Sequence, residues 1–452
     1  TAMTSANFDA TGYAILEKLP LETIKYLLSQ GNDVNKLTHD ARTYIFWAAY
    51  KSNIPLMDYL IEQGAKTDLV DQHGYSLFMF TAVTAQENEE VYEYIMKLGA
   101  DPMKERDREG RNALLAYASA TKTGDMLDYF IDLGLDVNSV DEDGNGIFNQ
   151  AAKTGNQELL ERLISQYKVD TNPNKKTNEN AILFASRRFS RSGEETSISY
   201  YKYLERLGLD PKVVSTSGNT VLQNLARRSN SAELYNYFID KGVNVDQVDD
   251  EGNNALINAA SRKSQELIAL LAENTTDINV KNKEGLSAFT RALKYNDLEI
   301  AKYLVDRGAD TDISDRKGYD LGYHLVDAFR GDMESFKEKM DYLVSLGYDP
   351  LSVQKDGSTL LHAAVNKEHM ELVKEVAEMG IDINAKDESG QTVLHYAAMQ
   401  ADDLELLRLL VEAGADKDIT TEFDESAYDL ALTNEQLNAG DEDMDFLRVG
   451  GE

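Results

Sequence analysis

The stretch Lys386–Asp416, KDESGQTVLHYAAMQADDLELLRLLVEAGAD, decides how the chain is read. A polar turn, Asp387–Gly390, leads into a short helical run, Thr392–Met399. Beyond it Leu404, Leu406, Leu407, Leu409, Leu410 and Val411 recur at helical spacing and give a broad apolar face. Gly414 closes the run, because glycine enters the left-handed C-cap conformation without a Cβ penalty. The segment Gln354–Asn384, QKDGSTLLHAAVNKEHMELVKEVAEMGIDIN, has the same order 33 residues earlier.

Working outward, a glycine follows an apolar helical run at Gly31, Gly64, Gly99, Gly134, Gly208, Gly242, Gly308, Gly347, Gly380 and Gly414. Tyr167 and Asn274 take the equivalent place in the two gaps. A period of about 33–35 residues means one supersecondary unit stacked many times, each burying its apolar face on the next. The expectation is an all-α solenoid of stacked helix-turn-helix units, in which binding belongs to a long surface and not to a pocket.

The two C-terminal segments closely resemble the ankyrin repeat. Gly357, Thr359, Leu361, His362 and Ala364, then Gly390, Thr392, Leu394, His395, Ala397 and Ala398, match its turn and first helix. Weaker copies open at Asp71–Gly74, Asp107–Gly110, Asp141–Gly144, Asp249–Gly252, Lys281–Gly285 and Asp315–Gly318. The histidine of that pattern is replaced by Phe46, Met79, Leu115, Asn149, Leu183, Gln223, Ile257, Thr290 and Tyr323, which leaves consensus turn geometry an open question there. The division expected is an N-terminal capping half-repeat over residues 1–37, about eleven repeats over 38–420, a C-terminal cap over 421–437 and an acidic tail over 438–452. Two repeats are long, through insertions at Phe189–Ser199 and Arg330–Phe336.

Composition removes several functional classes. The net charge of −33 disfavours nucleic acid or an anionic membrane as main partner. No apolar run approaches the ~18 residues of a membrane span. With no cysteine, disulfides, thiolate metal sites and cysteine nucleophiles are excluded. Asp141-Glu-Asp-Gly-Asn-Gly146 looks like the start of a calcium loop, but Ala152 stands where the bidentate carboxylate belongs, and the repeat register makes the segment an ordinary turn. His362 and His395 occupy the repeat position where the resemblance implies an imidazole that bonds within or between the turns. No metalloprotease helix, phosphate loop or nucleophile elbow is present, so neither catalysis nor a cofactor is expected.

The resemblance implies a protein-binding scaffold or adaptor, monomeric, gripping another protein or peptide along its concave face. One first-helix ladder places Trp47 and Phe80 there, either as contact anchors or as packing between helices. A second ladder collects cations at one helical position: Lys51, Lys153, Arg187 and Arg188, Arg227 and Arg228, Arg262 and Lys263, Lys294 and Lys367, with Arg291 and Arg191 of the insertion beside them. The contact residues expected are Trp47, Phe80, Arg187, Arg188, Arg227, Arg228, Arg262 and Arg291. The cations either bind an acidic peptide, polysaccharide or other anion, or pair with surrounding acids. Alternatives are an exported bacterial protein binding an anionic glycan or small ligand, and a non-catalytic subunit that positions an enzyme. The weak likeness to exported bacterial repeat proteins points to the periplasm or outside the cell, with the cytoplasm as the other option.

Overall fold

The computed structural model describes residues 8–172, 174–188, 195–261, 264–439 and 443–448. Among them no strand occurs; three isolated antiparallel bridges, Val140–Gly146, Ser314–Asp320 and Thr420–Ser426, close individual turns. The fold is all-α, as the glycine period requires.

The chain divides into two compact units, Thr1–Ser229 with Glu233–Asn244, and Asn230–Ala232 with Val245–Glu452. The first opens with α1 (Ala10–Leu16) and α2 (Leu21–Ser29), then α3 (Tyr44–Tyr50) and α4 (Ile54–Glu62), and α5 (Leu77–Val83) and α6 (Glu89–Lys97). It continues with α7 (Ala113–Ala118) and α8 (Leu127–Asp132), α9 (Ile147–Ala152) and α10 (Gln157–Ser165), α11 (Ala181–Ser186) and α12 (Ile198–Arg206), and α13 (Val221–Ala226) and α14 (Ala232–Asp240). The second holds α15 (Ala255–Ala259) and α16 (Gln265–Asn274), α17 (Ala288–Tyr295) and α18 (Leu298–Asp306), and α19 (Leu321–Asp327) and α20 (Met333–Ser345). Then come α21 (Leu360–Val365) and α22 (Met370–Glu378), α23 (Val393–Gln400) and α24 (Glu405–Glu412), and α25 (Ala427–Thr433) and α26 (Glu435–Ala439). Within each unit a first helix packs on its own second helix and on the first helix of the next repeat.

Helices of six or seven residues are too short to persist alone in water. They survive because neighbours surround them: Tyr44–Ala49 of α3 and all of α7 are buried. Fully burying one large apolar side chain contributes about 1.5–3 kcal/mol. The second helices are amphipathic instead; α6 buries Val91, Tyr92 and Ile95 and exposes Glu89, Glu90 and Glu93.

The acid that opens a turn is also its template. Asp141 Oδ1 accepts from the Asn145 N–H at 2.8 Å while the Asp141 N–H donates to the Asn145 carbonyl at 3.1 Å. Its other oxygen accepts from Gln150 Nε2 at 2.8 Å, so this carboxylate serves the turn that the register assigned to it. Successive turns are joined by backbone bonds, such as Glu142 N–H to the Glu109 carbonyl at 2.9 Å and Arg316 N–H to the Glu284 carbonyl at 2.8 Å. Close stacking excludes a side chain at Gly285, whose φ is +86° and where a Cβ would sit 2.8 Å from the Arg316 nitrogen.

His362 and His395 do what their position implies. His362 Nδ1 accepts the Thr359 N–H at 3.1 Å, and Nε2 lies 3.3 Å from the Gln391 carbonyl of the next repeat. His395 repeats this with the Thr392 N–H at 3.0 Å and the Ile419 carbonyl at 3.1 Å. Burial holds both imidazoles below their usual pKa, consistent with a neutral ring whose Nε2–H donates.

Of the two insertions, residues 189–194 of the first, with Arg191, lie outside the described residues. The second is taken up as an extra turn of α20, which has 13 residues where α18 and α22 have 9. In the acidic C-terminal stretch, Leu447 is buried and the Arg408 guanidinium lies 4.4 Å from the Phe446 ring centroid, so Asp443–Arg448 rests on the last repeat. No helix among the described residues is long and apolar enough to cross a membrane.

Candidate interaction face

The ends of the first helices explain why cations recur. Lys51, Lys153, Arg187 and Arg227 are the C-cap residues of α3, α9, α11 and α13. A cation there meets the unsatisfied carbonyls and the negative end of the helix dipole, worth about 0.3–1 kcal/mol each. These four cations therefore have a structural cause before any ligand is considered, whereas Arg291 and Lys294 lie inside α17 and Lys367 lies one residue past the C-cap of α21.

Trp47 and Phe80 are not exposed anchors. They are 6% and 3% exposed and pack edge to face across neighbouring helices with ring centroids 5.7 Å apart. Trp47 Nε1 donates to Thr38 Oγ1 at 2.7 Å. The Arg42 guanidinium covers the Phe80 ring at 4.4 Å and binds Asp40 at 2.8 Å and Asp71 at 2.7 Å, joining two successive turns. Spacing alone could not decide this, since inward and outward positions on so short a helix differ by one residue.

Other cations have internal partners. Arg187 pairs with Glu179 and lies 5.4 Å from the Phe184 ring centroid. Arg111, which sequence reasoning missed, binds Asp107 at 2.8 Å and Tyr75 Oη at 3.1 Å. Arg42 and Arg111 both stand four residues after the turn-opening residue, Thr38 or Asp107, and that offset is the signal that would have found them. Arg188 packs on Gly155, where an added Cβ would sit 2.8 Å from its Nη1. Arg227 and Arg228 are exposed, side by side at the end of α13.

In the second unit Arg291 Nη2 reaches Asn253 Oδ1 at 3.3 Å, and its buried Nε has no hydrogen-bond partner. Lys294 pairs with Asp327 at 3.0 Å and touches His324 Nδ1 at 3.4 Å. His324 Nε2 lies 3.3 Å from Asp315 but out of line for a hydrogen bond. Burial, then the Lys294 charge, lowers the His324 pKa. Arg262 and Lys263 lie outside the described residues.

The sequence was then compared with known proteins. A family profile described as ankyrin repeats (3 copies) matches residues 12–106, 193–282, 222–315 and 332–421, more than half of the chain. The chain belongs to the ankyrin repeat family. An ankyrin repeat protein of Acanthamoeba polyphaga mimivirus is 24% identical over 279 residues, covering 58% of this chain and 34% of that protein. The phosphocholine transferase AnkX of Legionella pneumophila is 24% identical over 306 residues, covering 61% of this chain and 30% of that protein. The match thus spans about a third of each of these relatives. Among solved structures, the human ASB11 ankyrin repeat domain aligns with a TM-score of 0.41 at 21% identity, covering 49% of this chain and 96% of that domain. Ankyrin repeats are generally protein–protein interaction modules and typically carry no catalysis of their own.

Proposed function

We propose that this ankyrin protein is a non-catalytic scaffold that holds a partner protein or peptide against its first helices and turns. The observation that carries the reading is the family membership of repeats covering most of the chain. Stacked, mutually bonded turns present a preorganised surface, which lowers the ordering cost of association. Within the first unit the exposed pair Arg227 and Arg228 is the contact favoured for an acidic partner, with Arg188 just past the C-cap of α11. In the second unit the contact is Arg291, whose guanidinium is only partly satisfied.

Proximity labelling in the native cell, with the intact protein and the Arg227→Glu, Arg228→Glu chain, tests the reading. The wild type labels a set of proteins, and the charge-reversed chain loses the direct partner, with affinity down at least about tenfold and a weaker salt dependence. Identical labelling, affinity and salt dependence in the two chains would sink it.

A further inference from the structure

At the end of α9 an ammonium stands among other cations, with no carboxylate in ion-pair contact among the described residues. Lys153 Nζ donates to Gln150 Oε1 at 3.0 Å and lies 5.0 Å from the Phe184 ring centroid on α11. Among the described residues no carboxylate stands within ion-pair distance of it, whereas Arg42, Arg111 and Arg187 each meet one. Gln150 is fully buried and its Nε2 is bound to Asp141, so its Oε1 is oriented toward the lysine. The neutral acceptor takes one of three ammonium donors and leaves two.

The surroundings make this a costly place for a lysine. The Arg187 guanidinium sits against the same Phe184 ring, so one aromatic side chain seats two cations. Arg188 reaches the loop that follows Lys153, at Gly155. Glu109 and Asp141 also act on the ammonium, yet its pKa is pushed down to about 8, by burial first and by the Arg111 charge next. The dipole at the end of α9 favours a cation. Half-burying the charge beside two arginines opposes it, because a neutral acceptor and an aromatic face offset only part of what water gave the ammonium.

We propose that Lys153, with Arg187 beside it, is an anion-binding point that takes a side-chain carboxylate of an acidic peptide lying across α9, α11 and α13. A peptide is favoured over a free acid by the repetition of the feature. Arg187, then Arg227 and Arg228, stand at the ends of the next two first helices of the same unit. Neighbouring helices pack ~8–10 Å apart. A polyproline-II chain advances ~9 Å in three residues and returns to the same side. An acid at every third residue therefore meets successive helix ends. The inference rests on the partner face proposed above, but its test needs no identified partner.

The test is calorimetric titration of the intact protein, in low salt, with a synthetic peptide of three Glu-Pro-Pro triplets. The wild type binds it; Lys153→Met weakens binding about tenfold, and Lys153→Arg stays within about threefold of wild type. Lys153→Met also keeps the melting temperature, because relief of a charge crowded by arginines offsets the loss of the Gln150 bond and of the helix-end attraction. Four results overturn the proposal: no binding by the wild type, unchanged affinity in Lys153→Met, a lowered melting temperature in that variant, or monomeric glutamate binding as tightly as the peptide. Peptide binding at Lys153 together with unaltered partner labelling in the Arg227→Glu, Arg228→Glu chain would remove the scaffold contact and leave this site standing.

Discussion

The repeats around α21 and α23 and those around α7 and α11 solve one problem with different chemistry. A first helix begins with N–H groups that have no partner inside the helix. In α21 and α23 a histidine one turn in reaches back to the N-cap N–H and forward to the next repeat. In α7 and α11 that place holds Leu115 and Leu183, which can do neither. There the N-cap side chain acts instead, on N–H groups further into the helix than the N-cap N–H that the histidine serves. Asn112 accepts the Leu115 N–H at 3.0 Å, and Asn180 accepts the Ile182 N–H at 3.0 Å while its Nδ2 donates to the Asp210 carbonyl at 2.9 Å. Ser76 and Asn254 cap α5 and α15 in the same way. The requirement is to satisfy the turn, and imidazole is one of several means. Only the imidazole version titrates near neutral pH.

The comparison can be broken in four ways, from the largest effect to the smallest. His362→Ala removes the contacts to the Thr359 N–H, the Thr359 hydroxyl and the Gln391 carbonyl and leaves a hole in a packed turn, at a cost of about 2–4 kcal/mol. Amide exchange in α21 and α23 should accelerate while that in α3–α11 does not change. Asn180→Ala should cost about 1–2 kcal/mol, with faster exchange in α11 and its neighbours. Equal loss in both units from either substitution would mean that the caps do not act locally.

The third test uses acid. His362 and His395 have depressed pKa values in the folded chain, so the unfolded chain binds their protons first as pH falls. Their contribution is full above about 6.5 and is lost as pH drops from there through the folded values. Exchange in α21 and α23 should therefore quicken between pH 7.5 and 5 ahead of α7 and α11, since His39 and His73 of the first unit are not buried. A uniform acid response would contradict the comparison. The smallest effect belongs to α13, where Gln223 Oε1 already accepts the Thr220 N–H at 2.6 Å. Gln223→His should change stability at pH 7.5 by less than about 1 kcal/mol and bring acid sensitivity into the first unit.

The fold was legible because a glycine closes most second helices at a near-constant interval even where the turn sequence drifts. The lost histidines left turn geometry open, and only the structure shows Asn112, Asn180 and Asn254 carrying the cap. The candidate face was less legible. Lys153 and Arg187 could be seen to recur, but their shared position as C-caps depends on where helices of six residues end. The fate of Trp47 depended on Arg42, which lies in the preceding turn and outside either ladder. Lys153 stood out only once Gln150, three residues earlier, and Phe184, in the next repeat, were seen to meet it.

The backbone bonds between successive turns have a consequence for ancestry. In the first unit Gln72 N–H donates back to the Asp40 carbonyl at 3.0 Å, and Thr216 N–H to the Thr177 carbonyl at 2.8 Å. In the second unit Lys283 N–H donates to the Glu251 carbonyl and Glu388 N–H to the Asp356 carbonyl, both at 2.8 Å. At these joints a turn gives one bond to its predecessor and offers one acceptor to its successor, whatever side chains it carries. Duplication or deletion of a whole period leaves every such joint closed, while a cut of any other length strands a donor. A gene of this kind is free to gain or lose length in steps of one repeat, and its side chains can diverge afterwards.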